Sequence, residues 1–203
     1  MGSESVKGSL VLGAVVAARR LRERGRITPE QMEARLSRPA LELVDQKIEI
    51  PRWYPVSAFC ELIELAWEID GRREASYLER QGAASADRLF DTGRYQQLDF
   101  AQRSGRVETA RDLLRSARRI ATITGAFYDF LEVDIALEAE GLTIAYRNAR
   151  AFGDPLVHTT VGFMNRINAR QGSRRRWTGT RTRPDEVRFH MTLPRRLAEP
   201  GQV

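Results

Sequence analysis

The sequence predicts an α+β domain: N-terminal helices packed on a four-stranded antiparallel sheet, with the sheet built as hairpin, helix, hairpin in the last third of the chain. Three observations predict it. Up to about residue 125 the apolar residues recur at helical spacing. At Leu131 the period drops to two and holds through a hairpin. One more helical stretch then leads into a second pair of short alternating segments. Helices followed by antiparallel strands form a stable layered unit when the helices cover one face of the sheet.

The first helix runs from Leu10 to about Arg24 and stops at Gly25. "TPEQMEARL" starts the next, with Thr28 as N-cap, Pro29 in the first turn and Gln31 closing a capping box. "PRWYPVSAFCELIELAWEIDG" is the clearest helix, opened by Pro55 and closed by Gly71. Ser57, Glu61, Glu64 and Glu68 make one narrow polar stripe on it, so the rest is expected to be buried. Residues 73–90 and 94–103 read as two further helical segments, the first carrying the small-residue run "GAASA". From Glu108 to Thr124 the residues Ala110, Leu113, Leu114, Ala117, Ile120 and Ala121 line one helical face, and Gly125 is the expected stop.

In "FLEVDIALEAEGLTIAYR", Leu131, Val133, Ile135 and Leu137 face one way and Glu132, Asp134 and Glu138 the other. A turn at Glu140-Gly141 leads into Leu142, Ile144 and Tyr146. A helix from about Pro155 to Arg170 follows, with Val157, Val161, Met164, Ile167 and Asn168 inward. "RRRWTGTRT" and "EVRFHMTL" close the sheet through a Pro184-Asp185 turn. Residues 1–195 are expected to form one domain, helical over about 8–125 and sheet-bearing over about 127–194, with 196–203 as a tail.

Composition narrows the function classes. The chain has 203 residues, 42% hydrophobic and 30% charged, which suits one domain with a real core. The longest apolar run, "LVLGAVVAA", is too short to span a bilayer, and its arginines follow it, the reverse of a secretory signal. A cytoplasmic protein is the expectation. Cys60 is the single cysteine, and His158 and His190 are the only histidines. A disulfide within the chain and a cysteine zinc site are excluded, and histidine-based catalysis and metal sites are short of parts. No nucleophile–base set or phosphate loop is present, so the expectation is a protein that is not an enzyme and has no cofactor.

Two candidate sites stand out. Tyr146, Asn148 and Arg150 fall at i, i+2 and i+4; on a continuous strand they share a face and make a polar cradle for an anionic ligand. The competing reading is a strand end whose polar residues cap nearby backbone. The second candidate is basic. Residues 140–203 hold 12 Lys+Arg against 5 Asp+Glu. Arg174, Arg175, Arg176, Trp177 and Arg181 form a candidate phosphate, nucleotide or nucleic-acid surface, with Arg forks for phosphates and Trp177 for stacking. The alternative is pairing of these arginines across the sheet with Glu132, Asp134 and Glu138. Cys60 reads as a small buried hydrophobe, Trp53 as a staple before the capped turn, and Glu61, Glu64 and Glu68 as a solvated or Arg-paired stripe.

Residues 131–193 resemble a superfamily that includes haem-nitric-oxide-binding domains, 4-vinyl-reductase domains and TRAPP small subunits. "LTIAYRNAR" is similar to the strand carrying a Tyr-x-Ser-x-Arg motif in haem-binding members, with Asn148 in place of Ser. "PLVHTTVGFMNRINARQG" resembles their next helix, with its Gly162-Phe163 step, and "RRWTGTRTRPDEVRFHMTL" their closing hairpin. "VKGSLVLGAVVAARRLRERG" and "RWYPVSAFCELIELA" are similar to a paralogous family of unknown function largely confined to myxobacteria. Haem-binding members carry an axial histidine upstream of the hairpin; residues 1–157 contain none. The resemblance implies a regulatory or scaffold binding module, a homodimer, protein partners, and space between helices and sheet for an apolar ligand, including an acyl chain of the kind some TRAPP subunits carry. Nucleic-acid or nucleotide binding by the arginine-rich hairpin and an apolar-ligand or haem-like sensor are the alternative functions.

Overall fold

The computed structural model describes residues 4–91, 110–138 and 140–193. The helix expected over 94–103 and the tail over 196–203 lie outside the described residues. The elements are β1 (Ser5–Lys7), α1 (Gly8–Glu23), α2 (Pro29–Glu33), α3 (Arg38–Asp45), β2 (Trp53–Pro55), α4 (Val56–Ile69), α5 (Ala75–Asp91), α6 (Ala110–Phe127), β3 (Glu132–Glu138), β4 (Gly141–Arg147), α7 (Asp154–Arg170), β5 (Thr178–Arg183) and β6 (Glu186–Thr192). The expected α+β architecture is present. The main sheet is antiparallel throughout, in the order β3-β4-β6-β5, so the two hairpins meet through β4 and β6.

Alternation decides the sheet's two faces. Leu142, Ile144 and Tyr146 of β4 and Val187, Phe189 and Met191 of β6 are fully buried against the helices. The residues between them on those two strands, Thr143, Ala145, Arg147, Arg188, His190 and Thr192, form the outer face. There Arg147 pairs with Asp134 at 2.9 Å, and Glu186 accepts from Thr182 at 2.7 Å and Arg188 at 2.8 Å. The Thr182 hydroxyl, with Arg188 beside it, holds the Glu186 carboxyl below its ordinary range.

Local signals held where the chemistry is local. The Thr28 hydroxyl accepts from the Gln31 amide at 3.2 Å, and the Gln31 side chain accepts from the Thr28 amide at 2.9 Å. Three elements differ from expectation. First, α6 passes Gly125 and ends at Phe127; burial of Ile123, Phe127 and Tyr128 outweighs the cost of one helical glycine, about 1 kcal/mol. Second, Trp53 lies in β2, paired with Lys7 in a two-stranded sheet; it is 39% exposed, with the Lys7 ammonium 3.9 Å from its ring centroid. Third, the glutamate stripe of α4 is Arg-paired at Glu68, as one of the two readings expected, but Glu61 serves another helix. Glu61 accepts from the Ser37 amide at 2.6 Å, capping α3, and Glu68 pairs with Arg35 and Arg73.

α5 and α7 touch backbone to backbone. Gly82 of α5 faces the Thr159 carbonyl, and Gly162 of α7 faces the Glu79 carbonyl. The pair fixes where α5 lies, and α5 forms one wall of the cavity described next.

Candidate functional site

A cavity of about 110 Å³ lies where α1, α4, α5, α6, α7 and the inner face of β4 converge. Its floor is aromatic. Tyr146 packs edge-on to Phe189 at 4.9 Å and to Phe152 at 5.5 Å, and Tyr128 packs edge-on to Phe152 at 5.3 Å. Its walls include Leu10, Ala14, Phe59, Ile63, Phe127 and Leu156. The space exists because α1 presents Gly13, Ala14 and Ala17 to it, and α5 presents Gly82 and Ser85. Gln81 and Arg88 are exposed and form the rim.

One polar pair sits on the floor. The Thr124 hydroxyl donates to the Ile120 carbonyl at 3.0 Å, so in the 2.7 Å contact between Thr124 and Tyr146 the phenol is the donor. Burial pushes the Tyr146 phenol well above its ordinary range, offset in part by Thr124, and burial raises Tyr128 likewise. Cys60 lies behind the floor, its thiol donating to the Ala151 carbonyl at 3.7 Å; burial pushes its pKa up to about 11.

These shifts have a sign. The fold keeps Cys60, Tyr128 and Tyr146 protonated, so above about pH 9 the unfolded chain releases protons that the folded chain retains, and stability falls as pH rises. The thermal midpoint is expected to decline steadily from pH 9 to 11. At pH 8 Cys60 should react with a disulfide reagent about a hundredfold or more slowly than after unfolding in urea. Equal rates in the two states would mean an accessible thiolate.

The structure does not bring the first predicted triad together. Tyr146 points into the cavity. The strand stops at Arg147, Asn148 is left-handed at φ 57°, and a 3₁₀ turn spans Ala149–Ala151. Asn148 and Arg150 are exposed beyond the strand end. The break has a tertiary cause: the Ala149 amide donates to Asp185 in the β5–β6 turn at 2.9 Å, which pulls the chain out of extension.

Nor are the basic residues one surface. Trp177 is 2% exposed, and its backbone is held by Asn165, whose side chain accepts from the Trp177 amide at 2.7 Å and donates to its carbonyl at 3.3 Å. Asn168, itself buried, donates to the Arg175 carbonyl at 3.2 Å. The segment before β5 is therefore pinned to α7, and its tryptophan is no stacking platform. Arg181 turns inward: it donates to the carbonyls of Ala149, Phe152 and Pro184 and pairs with Asp154. Arg176 reaches Glu79 of α5 at 3.7 Å, and Arg174 is exposed. The acidic strand β3 and the arginine-bearing β5 are opposite edges of the sheet, so the two do not neutralise each other. The resemblance implied space between helices and sheet; in the residues themselves the cavity's trace is the small side chains of α1 and α5.

The chain matches no protein-family model and no curated protein. Among solved structures it is similar to an Fe(II) unliganded H-NOX protein from K. algicida, at 13% identity and a TM-score of 0.57, covering 92% of this chain and 95% of that one. It is also similar to a point mutant of a T. tengcongensis H-NOX, at 11% identity and TM-score 0.53, covering 93% and 98%. A third similar structure comes from work on haem redox potential and protein-induced porphyrin distortion; it is 10% identical at TM-score 0.53, covering 92% and 99%. The class defined here is therefore one of fold: an H-NOX-like α+β domain.

That fold raises haem, and the cavity residues do not fit it. No histidine or cysteine lines the cavity; the His158 ring instead faces Trp67, 6.4 Å between centroids. The phenol on the floor is committed to Thr124, and its ionisation is pushed upward, which disfavours a tyrosinate ligand to iron. Among the described residues no cluster of His, Cys, Asp or Glu is arranged to hold a metal. No described helix is long and apolar enough to cross a membrane.

Proposed function

We propose that this chain is a non-enzymatic regulatory domain that takes a small apolar ligand into the cavity between its helices and sheet and acts through protein contacts. The observation that carries the reading is the cavity itself, apolar walled and floored by fully buried aromatics. An engineered cavity of about 150 Å³ lined by Leu, Ile and Phe accepts benzene; this one is mostly apolar too, with threonines and the Gln81–Arg88 rim as its polar part. The similar folds lend analogy: one is an H-NOX protein in an unliganded Fe(II) state, another concerns haem. This chain shares the architecture, and among the described residues no histidine or cysteine lines the cavity, which supports an organic guest. Within the wider resemblance, its N-terminal wording is similar to the myxobacterial paralogous family, and that likeness supports a homodimer in the cytoplasm as the working unit.

Toluene tests the cavity. A ligand that binds only the folded state raises its melting temperature by mass action. Toluene should raise the midpoint of the natural protein by several degrees and leave Ala17→Phe, which fills the cavity from α1, unmoved. No shift in the natural protein near toluene saturation overturns the reading. Native mass spectrometry of freshly purified protein should show paired subunits; a bare protomer mass removes the homodimer.

A further inference from the structure

We infer that the cavity's ligand is a short amphiphile with a carboxylate head, held at the rim by Arg88. The inference rests on the cavity being a binding site and names what enters it. Arg88 lines the cavity from the last turns of α5 and is exposed, so its guanidinium stands at the mouth while the apolar walls and Tyr146 lie inward. It also reaches across the opening: a methyl group on Gly13 of α1 would lie 3.3 Å from an Arg88 terminal nitrogen.

The guanidinium is oriented and, among the described residues, free of any carboxylate partner. Its Nη2 donates to the Ser85 hydroxyl at 2.7 Å, and that hydroxyl donates to the Gln81 carbonyl at 3.0 Å. These two bonds fix the head along the rim, and among the described residues the other donors of the fork have no hydrogen-bond partner. Among the described residues Arg88 pairs with no carboxylate. The adjacent acid, Asp87, is occupied by Arg166 at 2.8 Å and Arg170 at 3.3 Å on the other side of α5. Most other arginines near the rim and sheet are engaged: Arg176 with Glu79, Arg181 with Asp154, Arg147 with Asp134.

A planar fork held over an apolar hole selects a planar anion attached to an apolar body, because each half meets its own partner. Cavity volume limits the body: at about 110 Å³ it takes an alkyl or aryl group of about six carbons. The class is a C5–C7 alkanoate or an aryl carboxylate.

The test compares n-hexanoate, 1-hexanol and acetate by calorimetric titration of the full chain. Hexanoate should bind about tenfold or more tightly than hexanol, and acetate should not bind measurably. Arg88→Gln should remove the advantage of hexanoate and leave hexanol affinity unchanged; Arg88→Lys should recover part of it. Hexanol binding as well as hexanoate, or an Arg88→Gln protein with full hexanoate affinity, overturns the head-group assignment while leaving the cavity reading standing. Acetate matching hexanoate overturns the amphiphile, because the apolar body then adds nothing to a bare anion contact at Arg88. Failure of hexanol, hexanoate and toluene alike overturns the cavity reading and this inference with it.

Discussion

Gly162→Val is expected to destabilise the fold by more than about 3 kcal/mol, the largest effect of any single substitution considered. A Cβ at Gly162 would lie 2.6 Å from the Glu79 Cα and closer still to its carbonyl oxygen, and both are backbone atoms that no rotamer change can move. The helices α5 and α7 would have to separate, and with them the wall that carries Gln81, Ser85 and Arg88. Overpacking typically costs about 1–3 kcal/mol where side chains can yield. Here the backbone must yield, so more than about 3 kcal/mol is expected, against a total stability of roughly 5–15 kcal/mol for a domain. Gly162→Ala is the sharper case because two effects oppose. Alanine gains about 1 kcal/mol of helix propensity. The clash with the Glu79 carbonyl outweighs it, so urea unfolding followed by circular dichroism should show a net loss of about 2 kcal/mol. A neutral or stabilised Gly162→Ala would mean that α5 and α7 do not meet at this point. Gly82→Ala, aimed at the Thr159 carbonyl from the opposite helix, should behave the same way.

How far the sequence disclosed this molecule depends on how far each determinant reaches. The Thr28–Gln31 capping box and the alternation from Val133 to Tyr146 are short-range, and both appear as read. The β1–β2 pair joins residues 5–7 to 53–55, three residues a side, with no periodicity long enough to register. Asn148 leaves the strand because Asp185, in another hairpin, captures the next amide. Trp177 looks like a surface aromatic in an arginine-rich run until Asn165 and Asn168, a helix away, fix the segment beneath it. The small residues Gly13, Ala14, Ala17, Gly82 and Ser85 were legible as composition. That they face one another across a void depends on helix placement, which composition does not carry.

Arg181→Ala is expected to cost about 3 kcal/mol, the second largest effect, and it separates the two readings of the arginine-rich hairpin. The side chain is 25% exposed and holds the carbonyls of Ala149, Phe152 and Pro184, so it ties the 3₁₀ turn and the β5–β6 turn to one point. Bonds from a charged donor contribute about 1.5–3 kcal/mol each when measured singly, and they are not additive within one hub. The Asp154 end adds little, since its carboxylate is 71% exposed and such pairs are worth about 0–1 kcal/mol. Asp154→Asn should therefore be nearly silent. Arg181→Lys keeps the charge but loses the fork, and should recover less than half. Arg174→Glu with Arg176→Glu should stay within about 1 kcal/mol, because Arg174 is exposed and Arg176 makes only a surface pair with Glu79. A nucleic-acid surface makes the reverse forecast. Arg181→Ala would leave the unfolding midpoint in place and weaken binding of a mixed oligonucleotide at low salt, and the double charge reversal would abolish that binding. Thermal unfolding and a salt titration on these four variants decide whether Arg181 serves the fold or a phosphate backbone.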